Sequence, residues 1–199
     1  MDEIIPLFSK SLFIQTLKID SQTIVQKLNN LNLSAPREDK FSSDRATIYN
    51  VLQLEPFNDL NNIIEKQINN LLQKKLHYNN SFVISTSWIT KTKPNQKSEI
   101  HNHDNCFFSG ILYLQTELNC GKIEFLNMDN KRFDLQRKEY NIFNSNSWTI
   151  EPKNNMLILF PSELYHRVLK NNSNITRISL AFNIMPKGIL GSDDSSCTI

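Results

Sequence analysis

The sequence predicts a mainly β protein in which about eight short strands form a double-sheet jelly roll or barrel, with two helices packed on its outside. Helical periodicity of apolar residues is confined to the first 80 residues. From residue 81 onward, short runs rich in β-branched and aromatic residues alternate with turns that contain Asn, Lys and Pro. With 199 residues, the chain is long enough for one domain with a sizeable core. Within it we distinguish an N-terminal arm (1–80), a β core (81–187) and a flexible tail (188–199).

The N-terminal arm is predicted to contain one edge strand and two helices. In chain order we expect the strand within Ile4–Ile19, a helix from an N-cap at Ser21 to about Asn32, and a loop over Leu33–Ala46. The second helix carries one apolar stripe that begins at Leu60 and ends at Leu76, and Phe57 is placed to pack against its start. Such an amphipathic helix needs a sheet on which to bury its stripe.

Eight strands are predicted in the β core, and they are Phe82–Thr90, Ile100–His103, Phe108–Gln115, Lys122–Leu126, Trp148–Glu151, Met156–Phe160, His166–Leu169 and Thr176–Met185. The charged segment Met128–Tyr140 interrupts them and is predicted to be a solvated loop or hairpin, or else a lid. Trp88 and Trp148 are predicted to be core aromatics. The tail after Gly191 is polar, with little to bury, and should be disordered.

Composition excludes several classes of protein. Lys and Arg number 22 against 20 Asp and Glu, so the net charge of +2 is far from that of a dedicated nucleic-acid binder. The four glycines are scattered singly, which excludes a glycine-rich phosphate cradle. Three cysteines without a CxxC spacing predict reduced thiols in a cytoplasm. No apolar run reaches about 18 residues, so we expect no membrane span.

Two histidines stand two residues apart, directly ahead of an apolar run. On a strand, side chains at i and i+2 point to the same side, so His101 and His103 can present their imidazoles together. A third histidine, His166, follows the predicted strand Met156–Phe160. A jelly roll can bring a distant strand over the first pair, and three imidazoles converging on one ion make a candidate metal site.

The last predicted strand alternates between two different faces. Its apolar face consists of Ile178, Leu180, Phe182 and Ile184, and its second face consists of Arg177, Ser179, Ala181 and Asn183. The second face points either to solvent or into the barrel. In the barrel, an arginine without an anion would be very costly, so the cavity would be expected to bind a carboxylate, which a guanidinium holds with two charge-assisted hydrogen bonds.

Four motifs therefore follow one another along the chain, and they are His101-x-His103, Ser109–Leu114, Phe160-Pro161-Ser162 with His166, and Arg177-Ile178-Ser179 with Asn183. In this order and spacing they resemble the 2-oxoglutarate/Fe(II)-dependent oxygenases found in phages and marine bacteria. The resemblance covers roughly Ser81–Met185, and more weakly the N-terminal helices.

The resemblance implies a double-stranded β-helix that acts as a dioxygenase, in which Fe(II), 2-oxoglutarate and O2 take part. Such enzymes convert 2-oxoglutarate to succinate and CO2 while they hydroxylate a C–H bond of a second substrate. The implied metal ligands, which are also the implied catalytic residues, are His101, His103 and His166. The implied cosubstrate-binding residues are Arg177 and Ser179 at the far carboxylate, with Tyr113 as a further donor, and Asn183.

One residue departs from the family pattern. The usual metal-binding triad has two histidines and one carboxylate, and here His103 stands at the position of the carboxylate. Asp104 is one residue further and would face the other way on a regular strand, so it could replace His103 only through a bulge or a strand end. Three-histidine coordination, a site that contains Asp104 and the absence of a functional metal are all open at this point.

Two other functions compete with the 2-oxoglutarate-dependent oxygenase. One is a three-histidine cupin-like dioxygenase that uses metal and oxygen without a 2-oxo acid, which would leave Arg177 unexplained. The other is a non-catalytic β-sandwich binding or assembly module. The second substrate of an oxygenase could be a small molecule, a protein side chain or a nucleobase, and fold analogy does not choose among them. We expect a cytoplasmic protein, acting in the host cytoplasm if it is encoded by a phage.

Overall fold

The structure is a computed structural model that describes residues 3–31, 34–35, 42–46, 49–128, 133 and 135–199. Its elements in chain order are β1 (Phe13–Thr16), α1 (Ser21–Asn30), β2 (Ser34–Ala35), β3 (Asp44–Ala46), α2 (Asn58–Asn69), β4 (Ser81–Thr92), β5 (Phe108–Gln115), β6 (Ile123–Leu126), β7 (Ser147–Ile150), β8 (Met156–Pro161), β9 (His166–Val168), β10 (Arg177–Lys187), β11 (Ile189–Leu190) and β12 (Cys197–Thr198). A π-helical stretch, Asn70–Lys75, continues α2. None of the described helices is long and apolar enough to cross a membrane.

Two antiparallel sheets make up the body of the protein. The large sheet has the strand order β1-β8-β5-β10-β4-β3-β2, and the small sheet has the order β7-β6-β9. One apolar cluster lies between the sheets and includes Tyr113 of β5, Phe125 of β6 and Phe160 of β8. A second cluster joins the other face of the large sheet to the apolar stripe of α2, where Ile64 and Ile68 are fully buried. The large sheet is therefore covered by helices on one face and by the small sheet on the other, which confirms the predicted architecture.

The two predicted helices are present, with corrections at their ends. Helix α1 ends at Asn30, and its N-cap is Asp20, because the Asp20 carboxylate accepts hydrogen bonds from the backbone N–H groups of Gln22 and Thr23 at 3.1 Å. The adjacent Ser21 is the first residue of the helix instead. Phe57 is buried at the start of α2, as its predicted packing role requires.

The predicted edge strand and the predicted loop of the arm also differ from the structure. Only Phe13–Thr16 of the segment Ile4–Ile19 is a strand, and it does lie at one edge of the large sheet, next to β8. Within Leu33–Ala46 the backbone forms the short strands β2 and β3 at the other edge. Strand β3 pairs with β4, and β2 pairs with β3, and these tertiary contacts have no signature in the local sequence. Residues 33 and 36–41 lie outside the described residues.

Ile100–His103 is not a strand. Within it, only His101 pairs, as an isolated antiparallel bridge to His166 at the edge of the small sheet. The chain then bends at Asp104 and Asn105, and Asn105 has a left-handed φ of 56°. Because the pairing ends after one residue, His101 and His103 are positioned by individual backbone hydrogen bonds rather than by a regular strand.

Neither tryptophan is a core residue. Trp148 is 45% exposed on β7, and Trp88 is partly buried on β4 in the wall of two cavities.

Within Met128–Tyr140, residues 129–132 and 134 lie outside the described residues, and the other residues form no strand and are mostly exposed. A solvated loop is consistent with that exposure, and a lid stays a prediction.

The tail has local structure that the sequence did not predict. Ile189 pairs with Thr198 and Leu190 with Cys197, which closes a two-stranded ribbon around a short helical turn at Asp193–Ser195. Its side chains are almost all exposed, in agreement with the expectation that the tail buries little. The division into arm, core and tail stays a prediction.

Candidate metal centre

The three histidines come together where the small sheet meets the large one. His166 begins β9, and its backbone N–H and C=O exchange hydrogen bonds of 2.8 and 2.9 Å with His101. The backbone N–H of His103 donates to the carbonyl of Ser162 at 3.0 Å. One possible ligand atom from each of the three histidines lies within 4.8 Å of those from the other two. The geometry therefore fits one metal ion held by three imidazoles.

Hydrogen bonds to backbone carbonyls set the tautomer of two of the imidazoles. Nδ1 of His101 lies 2.8 Å from the carbonyl oxygen of Glu99, and Nδ1 of His166 lies 2.9 Å from that of Leu164. A carbonyl oxygen only accepts, so each Nδ1 carries the proton and each Nε2 carries the lone pair. This is the arrangement found in metal sites, where the second nitrogen of a ligating histidine is oriented by a backbone or carboxylate oxygen.

His166 is held in the neutral form that metal binding requires. Its side chain is 2% exposed. Burial, and then the neighbouring His101 and His103, lower the pKa of His166 to about 3. At neutral pH this imidazole therefore has no proton to lose before it can bind a metal.

The structure assembles His103, and not Asp104, with the other two histidines. The His103 ring lies 5.2 Å from the His101 ring and 5.1 Å from the His166 ring, measured between centroids. Asp104 is exposed and is not among the three residues whose ligand atoms converge. Among the described residues, the cluster contains no carboxylate.

A small inner cavity of about 70 Å³ extends from the histidines to Arg177, between the two sheets. Arg177 and Ser179, on β10, line it together with Tyr113 of β5. Arg177 is 1% exposed and Ser179 is 4% exposed. The second face of β10 therefore points into the barrel, and the solvent-facing alternative is wrong.

Arg177 has hydrogen-bond partners but no anion. Its Nη1 donates to the carbonyl oxygen of Gly121 and its Nη2 to Oγ1 of Thr92, both at 2.9 Å, whereas its Nε has no hydrogen-bond partner among the described residues. Among the described residues, no carboxylate forms an ion pair with it. An arginine stays protonated in proteins, even though burial lowers the pKa of Arg177. The cavity therefore contains a buried cation without a counterion.

Tyr113 adds a second unsatisfied group to the same cavity. Its ring lies 5.7 Å from the Arg177 guanidinium carbon, and its buried hydroxyl has no hydrogen-bond partner in the part of the chain that the structure describes. Burial raises the pKa of Tyr113 to about 12, so the hydroxyl keeps its proton and can donate it. A carboxylate in this cavity would satisfy the Tyr113 hydroxyl and the Arg177 Nε together.

Asn183 is separated from the arginine. It lies on β10 and lines a larger outer cavity of about 440 Å³, together with Trp88, His101 and His103. Its Oδ1 accepts a hydrogen bond of 3.0 Å from the Ser109 hydroxyl, which leaves its amide N–H groups for other partners. The two cavities meet at the histidines, with Arg177 in the inner one and Asn183 in the outer one.

Sequence reasoning missed Thr92, Gly121 and Trp88 at this site. Thr92 and Gly121 hold the arginine, and Trp88 stands beside the His103 ring, with 5.8 Å between centroids. The alternation of β4 places Trp88, Thr90 and Thr92 on one face, but nothing local shows that this face is the cavity wall. Gly121 contributes only its backbone oxygen, which every residue has, so its residue type could not have indicated this contact.

Residues 86–183 match the model of a protein family described as "Putative 2OG-Fe(II) oxygenase", where 2OG is 2-oxoglutarate. The matched segment, 98 of the 199 residues, is similar to a 2OG-Fe(II) oxygenase domain. The match begins within β4 and ends within β10, so it contains the three histidines, Tyr113 and Arg177. No curated protein sequence matches the chain.

Solved structures show the same fold. A prolyl-4-hydroxylase from Pseudomonas putida has a TM-score of 0.61 at 15% identity, with 92% of this chain and 96% of that chain covered. An oxidoreductase of the 2OG-Fe(II) oxygenase family from Burkholderia pseudomallei has a TM-score of 0.61 at 12% identity, with coverage of 87% and 84%. HygX from Streptomyces hygroscopicus, crystallised with nickel and 2-oxoglutarate, has a TM-score of 0.62 at 10% identity, with coverage of 89% and 83%. The double-stranded β-helix fold is thereby confirmed.

Proposed function

We propose that this protein is a 2OG-dependent hydroxylase that binds Fe(II) through His101, His103 and His166 and holds 2OG between that ion and Arg177. One observation carries the proposal: three converging imidazoles share a cavity with a buried arginine that lacks an anion. The metal supplies the oxygen chemistry, in which 2OG is decarboxylated to succinate and a C–H bond of a second substrate is hydroxylated.

The donor set fits an Fe(II) ion. Imidazole nitrogens suit iron, and because Nδ1 carries the proton on His101 and His166, the ligand atom of each would be Nε2. Three neutral ligands give the ion one negative charge fewer than the usual pair of histidines with a carboxylate. Fe(II) should therefore be retained less tightly than at a site with an acidic ligand.

The inner cavity supplies the groups that bind and orient a dicarboxylate. Arg177 would hold the far carboxylate through its Nε edge, and Tyr113 and Ser179 would donate their hydroxyl protons to the same carboxylate. The distance from Arg177 to the histidines is spanned by one continuous cavity, so the other end of the molecule would lie at the metal. Burial of Arg177 and Ser179 shields this end of the site from bulk water.

The second substrate would approach through the outer cavity. That cavity reaches His101 and His103 but is not lined by Arg177, and its wall carries the Trp88 ring and the amides of Asn102 and Asn183. We assign Asn183 to the substrate side rather than to 2OG.

The three free cysteines are consistent with action in a reducing cytoplasm, which would be the host cytoplasm for a phage-encoded protein.

The cupin-like alternative shares the histidines but has no use for Arg177. A dioxygenase without a 2-oxo acid would not require a buried cation at the end of the metal cavity, and such a cation without an anion is costly. The same cost speaks against a non-catalytic module. The arginine therefore favours the 2OG-dependent reaction.

Succinate formation from 2OG tests the proposal, measured with Fe(II) and O2 and without added substrate. The wild type should release succinate slowly, Arg177→Gln should lose most of this release, and Arg137→Gln should keep it, because Arg137 hydrogen-bonds to Asn144 and Asn146 outside the cavity. Oxygen consumption that requires iron and ignores 2OG would instead support the cupin-like dioxygenase. Absence of both iron and 2OG binding in the folded protein would contradict the proposal.

A further inference from the structure

The guanidinium of Arg177 is held from behind by a chain of hydroxyl groups. Nη2 of Arg177 lies 2.9 Å from Oγ1 of Thr92, and that oxygen lies 2.9 Å from Oγ of Ser43. Oγ of Ser43 in turn lies 3.2 Å from the carbonyl oxygen of Lys97. Both hydroxyl residues are buried, Thr92 completely and Ser43 to 5% exposure. Water therefore has little access to compete for these contacts.

The number of hydroxyl protons fixes which group donates and which accepts in this series of hydrogen bonds. The Lys97 carbonyl only accepts, so the single hydroxyl proton of Ser43 points to it. Ser43 Oγ must then accept the proton of Thr92, and Thr92 Oγ1 accepts from Arg177. Each hydroxyl thus accepts from the side of the arginine and donates away from it, and hydrogen bonds arranged in this way polarise and strengthen one another.

One further contact fixes the guanidinium, and another fixes the backbone of Thr92. Nη1 of Arg177 donates to the Gly121 carbonyl at 2.9 Å, while the amide of the fully buried Asn171 holds the backbone carbonyl of Thr92 at 2.8 Å. Both terminal nitrogens of the arginine are therefore engaged by the protein. Of the described residues, none accepts the Nε hydrogen.

We propose that Thr92 and Ser43 are positioning residues for 2OG, because they hold Arg177 in the orientation in which its free edge binds a carboxylate. Ser43 belongs to the N-terminal arm and directly precedes β3, which pairs with β4. The arm is then a functional part of the cosubstrate site and not only a cover for the core. The inference rests on the proposed function, since it assumes that Arg177 binds 2OG.

The test is a calorimetric titration of 2OG into Zn(II)-loaded protein, since Zn(II) suits imidazole ligands and supports no turnover. Thr92→Val should weaken 2OG binding about tenfold, the equivalent of one hydrogen bond to a charged group, and Thr92→Ser should restore most of the affinity. Ser43→Ala should weaken binding by a smaller factor, on the order of threefold, because it removes only the second link. Zinc content should stay the same in every variant.

A matched control is available on the same strand. The hydroxyl of Ser87 is fully buried on the opposite face of β4, where it accepts a hydrogen bond of 2.9 Å from the backbone N–H of Leu52. Ser87→Ala should lower the thermal midpoint without changing the affinity for 2OG. The comparison separates loss of a buried hydroxyl from loss of the support for Arg177.

Two results would overturn the inference, and they differ from failure of the proposed function. If the wild type binds 2OG and Thr92→Val binds it equally well, or if Thr92→Ser is as weak as Thr92→Val, the hydroxyl does not position Arg177. If Thr92→Val does not fold, Ser43→Ala decides, and affinity equal to that of the wild type counts against the inference. If the wild type binds no 2OG, or Arg177→Gln binds it as well as the wild type, the proposed function fails as well.

Discussion

Arg177 and Tyr113 are the two residues whose environment depends most on what occupies the inner cavity. Each has a buried polar atom that finds no hydrogen-bond partner within the described ranges, and the two side chains are in contact. An unsatisfied buried donor destabilises the folded protein, so both atoms mark a position where function has been favoured over stability. The sequence predicted Arg177 from the alternation of one strand, but the orphaned atoms follow from packing and are visible only in the structure.

Removing the Tyr113 hydroxyl should weaken 2OG binding without destabilising the folded protein. In the ligand-free protein, Tyr113→Phe should leave the free energy of unfolding unchanged or raise it by up to about 1 kcal/mol, because a buried hydroxyl without a partner is lost. The affinity for 2OG should fall by about fivefold to tenfold, because one donor to the carboxylate is missing. Urea unfolding and calorimetric titration measure the two effects.

Tyr78→Phe is the matched control for that substitution, since Tyr78 is 44% exposed and contacts Phe82 and Phe107 through its ring. It should change neither quantity. Destabilisation of ligand-free Tyr113→Phe by more than about 1 kcal/mol would mean that the hydroxyl has a partner in the free protein.

His166 should make the metal-free protein sensitive to acid. Its folded-state pKa of about 3 lies below the value of 6.5 expected in the unfolded chain. Between these values the unfolded state binds a proton that the folded state does not, so the stability contributed by neutral His166 is complete above pH 6.5 and is lost as the pH falls toward 3. The loss is at most about 1.4 kcal/mol per pH unit.

Urea unfolding with a chelator present, at pH 7 and pH 5, checks this prediction against the variant His166→Asn. The stability of the wild type should fall more steeply between the two pH values than that of the variant, because asparagine has no proton to gain. Equal pH dependence in the two proteins would show that His166 is not held neutral by burial.

Within the segment Ser109–Leu114, strand β5 requires a glycine at position 110. Gly110 lies at the centre of the large sheet, where it pairs with Leu159 of β8 and Phe182 of β10. A Cβ atom at this position would overlap the ring of Phe182 and would lie 2.8 Å from Cδ2 of Leu159. Glycine is needed here because the neighbouring side chains fill the space above it, not because of its backbone conformation.

Gly110→Ala should therefore destabilise the protein by about 1–3 kcal/mol, the range typical of overpacked cores. Urea unfolding measures the change. The double variant with Phe182→Leu should recover part of the loss, since the shorter side chain makes room for the added methyl group. Wild-type stability in the single variant would show that the sheet can open at this point without cost.

At the same scale, the sequence predicted the long elements better than the short ones. Strands β5, β8 and β10 carry period-2 or continuous apolar runs, and helix α2 carries a full apolar stripe, so their local signals agree with their burial. Strand β3 exists because β4 offers an edge for pairing, and β2 exists because β3 then offers the next edge. The ribbon of β11 and β12 exists because the two segments pair with each other. Such short elements depend on partners that the local sequence does not specify.

For the whole molecule, the arrangement of two sheets decides what the histidines can do. Residues 101 and 166 are distant in sequence, and the bridge between them at the edge of the small sheet places both rings at one end of the inner cavity. The order of motifs was enough to predict this meeting. It was not enough to show that the expected strand at Ile100–His103 is reduced to a single bridge, with His103 held instead by the hydrogen bond from its backbone N–H to the carbonyl of Ser162.

Metal content tests most directly the central claim that three histidines form the metal site. The wild type, Asp104→Asn and His103→Ala would be loaded anaerobically with Fe(II), passed through a desalting column and assayed for bound iron. We expect a single ion per chain in the wild type and in Asp104→Asn, and loss of most of the iron in His103→Ala. Loss of iron in Asp104→Asn with retention in His103→Ala would contradict the account.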